Sequence, residues 1–261
     1  MQVYGIDLSM EKFDINFIDE EGKEKQKEVK NGVNSISKFL STVTDDGILC
    51  AEHTGAYGDL LVYLCNQVKV PIALVPGYTM KHSLGLVKGK DDPLDARRIR
   101  EYGERFPDKL VVSEYDEDCI VELKQLYTLR SQMVKARKTL LTSAKGRDHL
   151  PMQSISAHNH LQPVLCSLDA EIEAVEKEIE ALIKSNEDLY ENYEFARSVT
   201  GIGPVIATDL LIQTGNFKNI DPARKAASYA GVCPFPNKSG KMEGKSKTSP
   251  FADKKLKSLL Y

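Results

Sequence analysis

The sequence predicts an α/β domain on a mixed sheet, then a long helical middle, then a mainly α C-terminal domain. Three observations carry this. Over the first 113 residues, strand-like and helix-like segments follow the order strand, strand, strand, helix, strand, helix, strand, helix. From residue 116 the apolar residues recur at steps of seven, or of four and three. Near residue 200, two glycines flank one aliphatic residue directly before a helical segment.

The spacing predicts strands over 3–8 and 13–18. Phe13, Ile15 and Phe17 alternate with Asp14 and Asn16, and Glu20-Glu21-Gly22 follows as a turn. Residues 25–29 return as a polar third strand. A helix over 33–40 has Val33, Ile36, Phe39 and Leu40 on one face. It is followed by a buried strand at 48–52, a helix near 59–67, a strand at 71–75, a gap rich in Gly and Lys, and a helix opened by Pro93. A three-stranded meander extended by crossovers gives a mixed sheet with helices packed on it.

In the middle, Ile120, Tyr127, Val134 and Leu141 lie seven apart. After a break at 149–163, Leu168, Ile172, Val175, Ile179 and Leu182 alternate steps of four and three. The pattern suits a helical hairpin or the seam of a dimer. Arg130 and Arg137 spoil the first stripe, so the second alone reads as coiled coil. Farther on, Val199-Thr200-Gly201-Ile202-Gly203-Pro204 runs into a helix over 205–214. Backbone amides there face a phosphate in a helix-hairpin-helix contact to DNA, although the same residues also serve as a plain tight turn. A helix at 222–230 precedes a loop at 231–240. The amphipathic segment around Leu256, Leu259 and Leu260 has barely begun at Tyr261, which reads as a truncation.

With 261 residues, 41% hydrophobic and 28% charged, the composition is that of a soluble globular protein. It argues against long disorder, collagen-like repetition and a membrane protein, and no targeting segment opens the chain, so a cytoplasmic location is expected. Five scattered cysteines with no CxxC pair suggest neither a disulfide framework nor a zinc site. A net charge of -3 does not by itself announce a nucleic-acid partner, and its distribution is more telling than the sum. Residues 123–147 hold Lys124, Arg130, Lys135, Arg137, Lys138, Lys145 and Arg147 and no acid, and the C-terminal loop repeats the bias from Lys238 and Lys241 onward. Between them lies an acidic helix with Glu171, Glu173, Glu176, Glu178 and Glu180. Such segregation suits a polyanion-binding surface, and equally two solvated helices.

Four carboxylates stand out. Asp7 ends the first strand and Glu52 the fourth, where open sheets hold ligands. Asp92 and Asp95 share a face at the start of a helix, a pattern that also makes a good N-terminal cap. Crowded together, four anions are tolerable mainly around divalent cations, and an all-oxygen set selects Mg²⁺ or Mn²⁺. Two such ions stabilise the attacking and leaving oxygens of a phosphodiester displacement.

The segments GIDLS, AEHTG, KDDPLDARRI, SVTGIGPVIATDLL and YAGVCPFPNKSGK, in this order, resemble the DEDD-type transposases of one insertion-sequence family, whose relatives include the Piv DNA invertase and the bridge-RNA-guided recombinases. The resemblance spans nearly the whole chain. It implies a ribonuclease H-like, RuvC-like α/β domain over 1–113 with Asp7, Glu52, Asp92 and Asp95 as its metal-binding catalytic acids. It implies a helical coiled-coil middle over 114–194 for dimerisation and guide-RNA binding, and a C-terminal transposase domain over 195–261 with a helix-hairpin-helix-like motif. There Ser239 matches the nucleophilic serine that joins DNA covalently. Implied partners are donor and target DNA, a guide RNA and further copies of the chain, as a dimer or dimer of dimers with active sites shared between protomers. The basic residues named above, with Gly201, Gly203, Lys238 and Lys241, become the nucleic-acid contacts. Two departures stand out: the family's final helices are missing, and Ser249-Pro250-Phe251-Ala252 replaces a Lys-Arg-Gly type turn. Other readings stay open: a RuvC-like Holliday-junction resolvase or nuclease in which the acids activate water, an actin-like or sugar-kinase-like ATPase, and an inactive nucleic-acid-binding remnant.

Overall fold

The computed structural model describes residues 1–83, 92–147, 152, 154–218, 220, 223–239, 242–249 and 252–260. They form two compact units, Met1–Tyr115 and Asp116–Tyr261.

The first unit is a five-stranded mixed sheet in the order β3-β2-β1-β4-β5. Strands β1 (Gln2–Leu8), β2 (Lys12–Ile18) and β3 (Glu24–Lys30) form the antiparallel meander, and β4 (Gly47–Glu52) and β5 (Ile72–Val75) add in parallel. The β2–β3 turn is built by Asp19, whose carboxylate accepts from the amides of Glu21 and Lys23 while Gly22 takes φ +77°. One sheet face buries Tyr4, Ile6, Leu8, Phe13, Ile15, Leu49 and Ala51 against α1 (Val33–Leu40) and α2 (Asp59–Val68), through Ile36, Phe39, Leu61 and Cys65. Each Ile, Leu or Phe side chain among these contributes about 1.5–3 kcal/mol by leaving water. The other face buries Val3, Ile48, Cys50 and Val75 under Met80 of α3 (Gly77–Ser83) and Ile99 and Tyr102 of α4 (Asp92–Arg105). Helix α3 falls in the stretch expected as a Gly- and Lys-rich gap. Burial pushes the Cys50 and Cys65 thiols up to about 12.

The second unit is mostly helical. Its long helices α5 (Asp118–Arg147) and α6 (Ile155–Ser185) pack on each other. Arg130 pairs with Glu176 at 2.6 Å and Arg137 with Asp169, so a seven-residue advance on α5 matches a seven-residue retreat on α6. The helices are therefore antiparallel, and the arginines that interrupt the first apolar stripe are cross-hairpin ion-pair partners. The break expected at 149–163 is shorter than the sequence suggests. Ser154 caps α6 by accepting from the Ala157 amide, and Pro163 sits inside the helix, in a largely exposed stretch, at the cost of one backbone hydrogen bond.

Helices α7 (Glu187–Arg197) and α8 (Pro204–Thr214) close over the hairpin, burying Ile120, Leu123, Tyr127, Val175, Ile179, Ile183, Leu189, Tyr193, Ala207 and Leu211 together. After α9 (Ala223–Tyr229), the expected loop at 231–240 is instead half of a two-stranded ribbon, β6 (Pro234–Ser239) and β7 (Met242–Thr248). Two prolines in β6 and the lysines of β7 hide its period of two. Helix α10 (Lys254–Leu260) follows, with the Asp253 carboxylate capping the Leu256 amide at 2.6 Å. None of the described helices is long and apolar enough to cross a membrane.

Candidate active site

The first unit brings the ends of β1 and β4 side by side. Ile6 is in register with Ala51 across the parallel pair, so the next residues along the two strands are Asp7 and Glu52. Side chains alternate along a strand. Ile6 and Leu8 belong to the α1/α2 core, so Asp7 shares the opposite face with Val3 and Gly5. Glu52 shares that face with Ile48 and Cys50. The Glu52 carboxylate lies directly over Gly77 at the start of α3, where a Cβ would collide with it.

Helix α4 crosses this face antiparallel to β1. A Cβ on Gly103 would stand 2.7 Å from Val3 Cγ1, and one on Gly5 would run into the Ala96 carbonyl and the Arg100 backbone. One helical turn rises about 5.4 Å and two strand residues about 6.6 Å, so the turn before Ala96 arrives level with Asp7. That turn carries positions 92 and 95. The Asp95 carboxylate accepts from Arg98 Nη1 at 2.9 Å, while the side chain of Asp92 lies outside the described residues. Among the described residues no three His, Cys, Asp or Glu side chains stand close enough to hold a metal ion. The candidate donors on this face are all carboxylates, a set whose chemistry fits a hard dication such as Mg²⁺ or Mn²⁺.

Sequence reasoning missed the buried polar layer beside these acids. Asp14 is in register with Asp7 on β2, and Asn16 with Gly5. Both alternate with Phe13, Ile15 and Phe17 as a solvated strand face would, yet Asp14 is 8% and Asn16 1% exposed. The signal was present in Arg100, a charge placed among the apolar positions of α4.

The expected nucleic-acid residues divide by environment. Lys124, Lys135, Lys138 and Lys145 are exposed on α5, whereas Arg130 and Arg137 already face carboxylates of α6. The side chains of Arg147, Lys238 and Ser239 lie outside the described residues, as does Lys241 altogether. Ser239 is the last residue of β6, paired with Met242. At the turn before α8, Gly201 takes φ +94° and Gly203 is extended ahead of Pro204, with open space where a Cβ would point from either glycine. Next to it a groove of about 480 Å³ is lined by Tyr127, Arg130, Tyr193, Arg197 and Thr208. Among its cations, Arg130 is already paired with Glu176, and Lys177 with Glu173.

One carboxyl away from the acids is shifted by its surroundings. Asp209 on α8 is fully buried, with Lys255 Nζ 3.4 Å from Oδ1 and 3.9 Å over the Tyr127 ring. Neither carboxylate oxygen meets hydrogen-bond geometry among the described residues. Burial pushes this carboxyl above its ordinary value, and the Lys255 charge offsets only part of the rise. The folded chain then binds more protons than the unfolded one, so stability falls as pH rises from the ordinary carboxylate value through the raised one. Asp209→Asn is expected to flatten that fall, read as urea midpoints between about pH 4 and 8. An unchanged slope would place the proton elsewhere.

The first unit is thus a carboxylate-ended mixed sheet crossed by an acid-bearing helix. Residues 4–150 match the DEDD_Tnp_IS110 transposase family, and residues 193–261 match the transposase IS116/IS110/IS902 family. The chain belongs to this family of DEDD transposases, whose first domain is ribonuclease H-like. It is also similar to the pilin gene-inverting proteins of Moraxella lacunata and Moraxella bovis, each 24% identical over 216 residues that cover 82% of this chain. The chain spans 65% of the length of these relatives.

Proposed function

We propose that this chain is a metal-dependent DNA transposase or site-specific recombinase that cuts and rejoins strands through Ser239. The observation that carries the reading is the register of Asp7 beside Glu52 on the face crossed by the start of α4. Asp7, Glu52, Asp92 and Asp95 are the proposed ligands of Mg²⁺ or Mn²⁺. When bound, the ions neutralise the scissile phosphate and stabilise charge on the attacking and leaving oxygens.

Ser239 Oγ attacks the scissile phosphorus and loses its proton. One deoxyribose oxygen departs as a hydroxyl, leaving a phosphoserine diester. A hydroxyl from the exchanging strand then displaces Ser239 and restores the phosphodiester, so bond energy is conserved without ATP. The exposed lysines of α5 and the amides at Gly201 and Gly203 are the proposed contacts to nucleic-acid backbones, including a guide RNA. The α5–α6 hairpin (within 114–194) is the proposed dimerisation element, with 195–261 as the domain that carries the nucleophile.

The test is covalent trapping with the cognate element and RNA. We expect a denaturation-resistant protein–DNA adduct that Ser239→Ala removes completely. Cleavage without any adduct in the unsubstituted chain would instead mark the acids as activating water, as in a nuclease.

A further inference from the structure

The proposed metal centre depends on where α4 lies along β1, and a buried polar clamp fixes that position. Arg100 is 6% exposed and donates from Nε to Asn16 Oδ1 at 2.6 Å and from Nη1 to Glu104 Oε1 at 2.6 Å. Asn16 Nδ2 donates in turn to Glu24 Oε1 at 3.0 Å on β3, and Arg97 Nε of α4 lies 3.4 Å from the same oxygen. Helix α4 is thus fastened to β2 by the buried Arg100–Asn16 bond, and the exposed carboxylate of Glu24 on β3 extends the contact at its rim. The backbone of Arg100 sits against Gly5, the strand partner of Asn16.

We infer that Arg100, Asn16 and Glu24 form a positioning clamp that sets the register of α4, and through it the approach of Asp92 and Asp95 to Asp7 and Glu52. The inference rests on the metal reading above. Gly5 removes the steric barrier to close approach, but a glycine contact is smooth and does not resist sliding. The directional bonds of a guanidinium to a buried amide do resist it, because a displaced α4 leaves Arg100 Nε and Asn16 Oδ1 buried without each other. Positions 92, 96 and 100 lie on one helical stripe, so a shift at Arg100 carries undiminished to position 92. Arg100 touches neither the proposed ions nor the DNA, and acts only by holding the helix that bears their ligands.

The test is Mn²⁺ binding followed by electron paramagnetic resonance on the full chain, together with hydrogen exchange of the first turn of α4 in the absence of metal. Arg100→Met is expected to weaken Mn²⁺ binding about tenfold, the loss typical of removing an outer support from a metal ligand, and to speed exchange at that turn. Arg100→Lys keeps the charge and one donor and should fall between the two. Arg100→Met combined with Asn16→Leu replaces the clamp by an apolar layer and leaves the partly exposed Glu24 and Glu104 carboxylates to water, so it should stay folded yet bind Mn²⁺ as weakly as Arg100→Met. Unsubstituted protein that binds Mn²⁺, with the Lys variant or the double variant matching its affinity, overturns the clamp alone. Unsubstituted protein that binds no Mn²⁺ overturns the metal reading and the clamp with it.

Discussion

Asp7→Asn is expected to slow strand transfer by about 10³-fold or more, since a metal ligand supplies several kcal/mol to the transition state and each 1.36 kcal/mol is a factor of ten. The same substitution should leave stability unchanged or slightly raised. Asp7 is in register with Asp14 on the neighbouring antiparallel strand, and like charges directly opposite one another destabilise a sheet by about 0.2–1 kcal/mol. Removing one of them relieves that repulsion. Glu52→Gln should show the same dissociation of activity from stability. The measurements are a strand-exchange assay with the cognate element and a urea unfolding curve for each variant. A variant that keeps its activity removes that residue from the site, and one that loses activity together with several kcal/mol of stability marks the residue as structural.

Gly5→Ala is expected to cost about 3 kcal/mol or more, at the upper end for overpacking, although it adds a single methyl group. The added Cβ would stand 2.7 Å from Arg100 Cβ and collide with backbone atoms of Ala96 and Arg100. Backbone cannot swing aside as a side chain tip can, so α4 must lift from the sheet. Lifting it breaks the Arg100–Asn16 bond and withdraws the helix start from Asp7, and Mn²⁺ affinity should fall with stability. Gly146 gives the contrasting case, since among the described residues nothing beyond its chain neighbours and its own helix backbone lies within 4 Å of where its Cβ would be. There, within α5, the same substitution should stabilise by up to about 1 kcal/mol through helix propensity. Urea unfolding of both variants checks the opposite signs. A Gly5→Ala protein as stable as the parent would show that α4 does not press on β1 as described.

Much of the first unit is legible in the sequence because its strands are short, strongly patterned and bounded by turn residues. The meander, the strand at 48–52 and the helix beginning near Pro93 all follow from local periodicity and capping. The second unit is less legible where two local rules compete. Pro163 reads as a break, yet α6 runs through it, since a proline in a helix costs one backbone hydrogen bond and the turns on either side continue. The ribbon β6–β7 reads as a loop, because Pro234, Pro236 and the lysines obscure strand alternation, and only the cross-strand pairing from Pro234↔Thr248 to Ser239↔Met242 defines it.

What the sequence determined by itself is the placement of the candidate acids near element ends, since strand ends and helix starts are local properties. What only the tertiary structure decided is which partners those elements meet. The register Ile6↔Ala51 puts Asp7 beside Glu52, and the missing side chain at Gly5 lets α4 settle across them. Asn16, polar by sequence and 1% exposed in the fold, shows the same division. Its alternation fixes the face it occupies, but whether that face meets water or helix depends on a segment more than eighty residues away, a distance no local pattern spans.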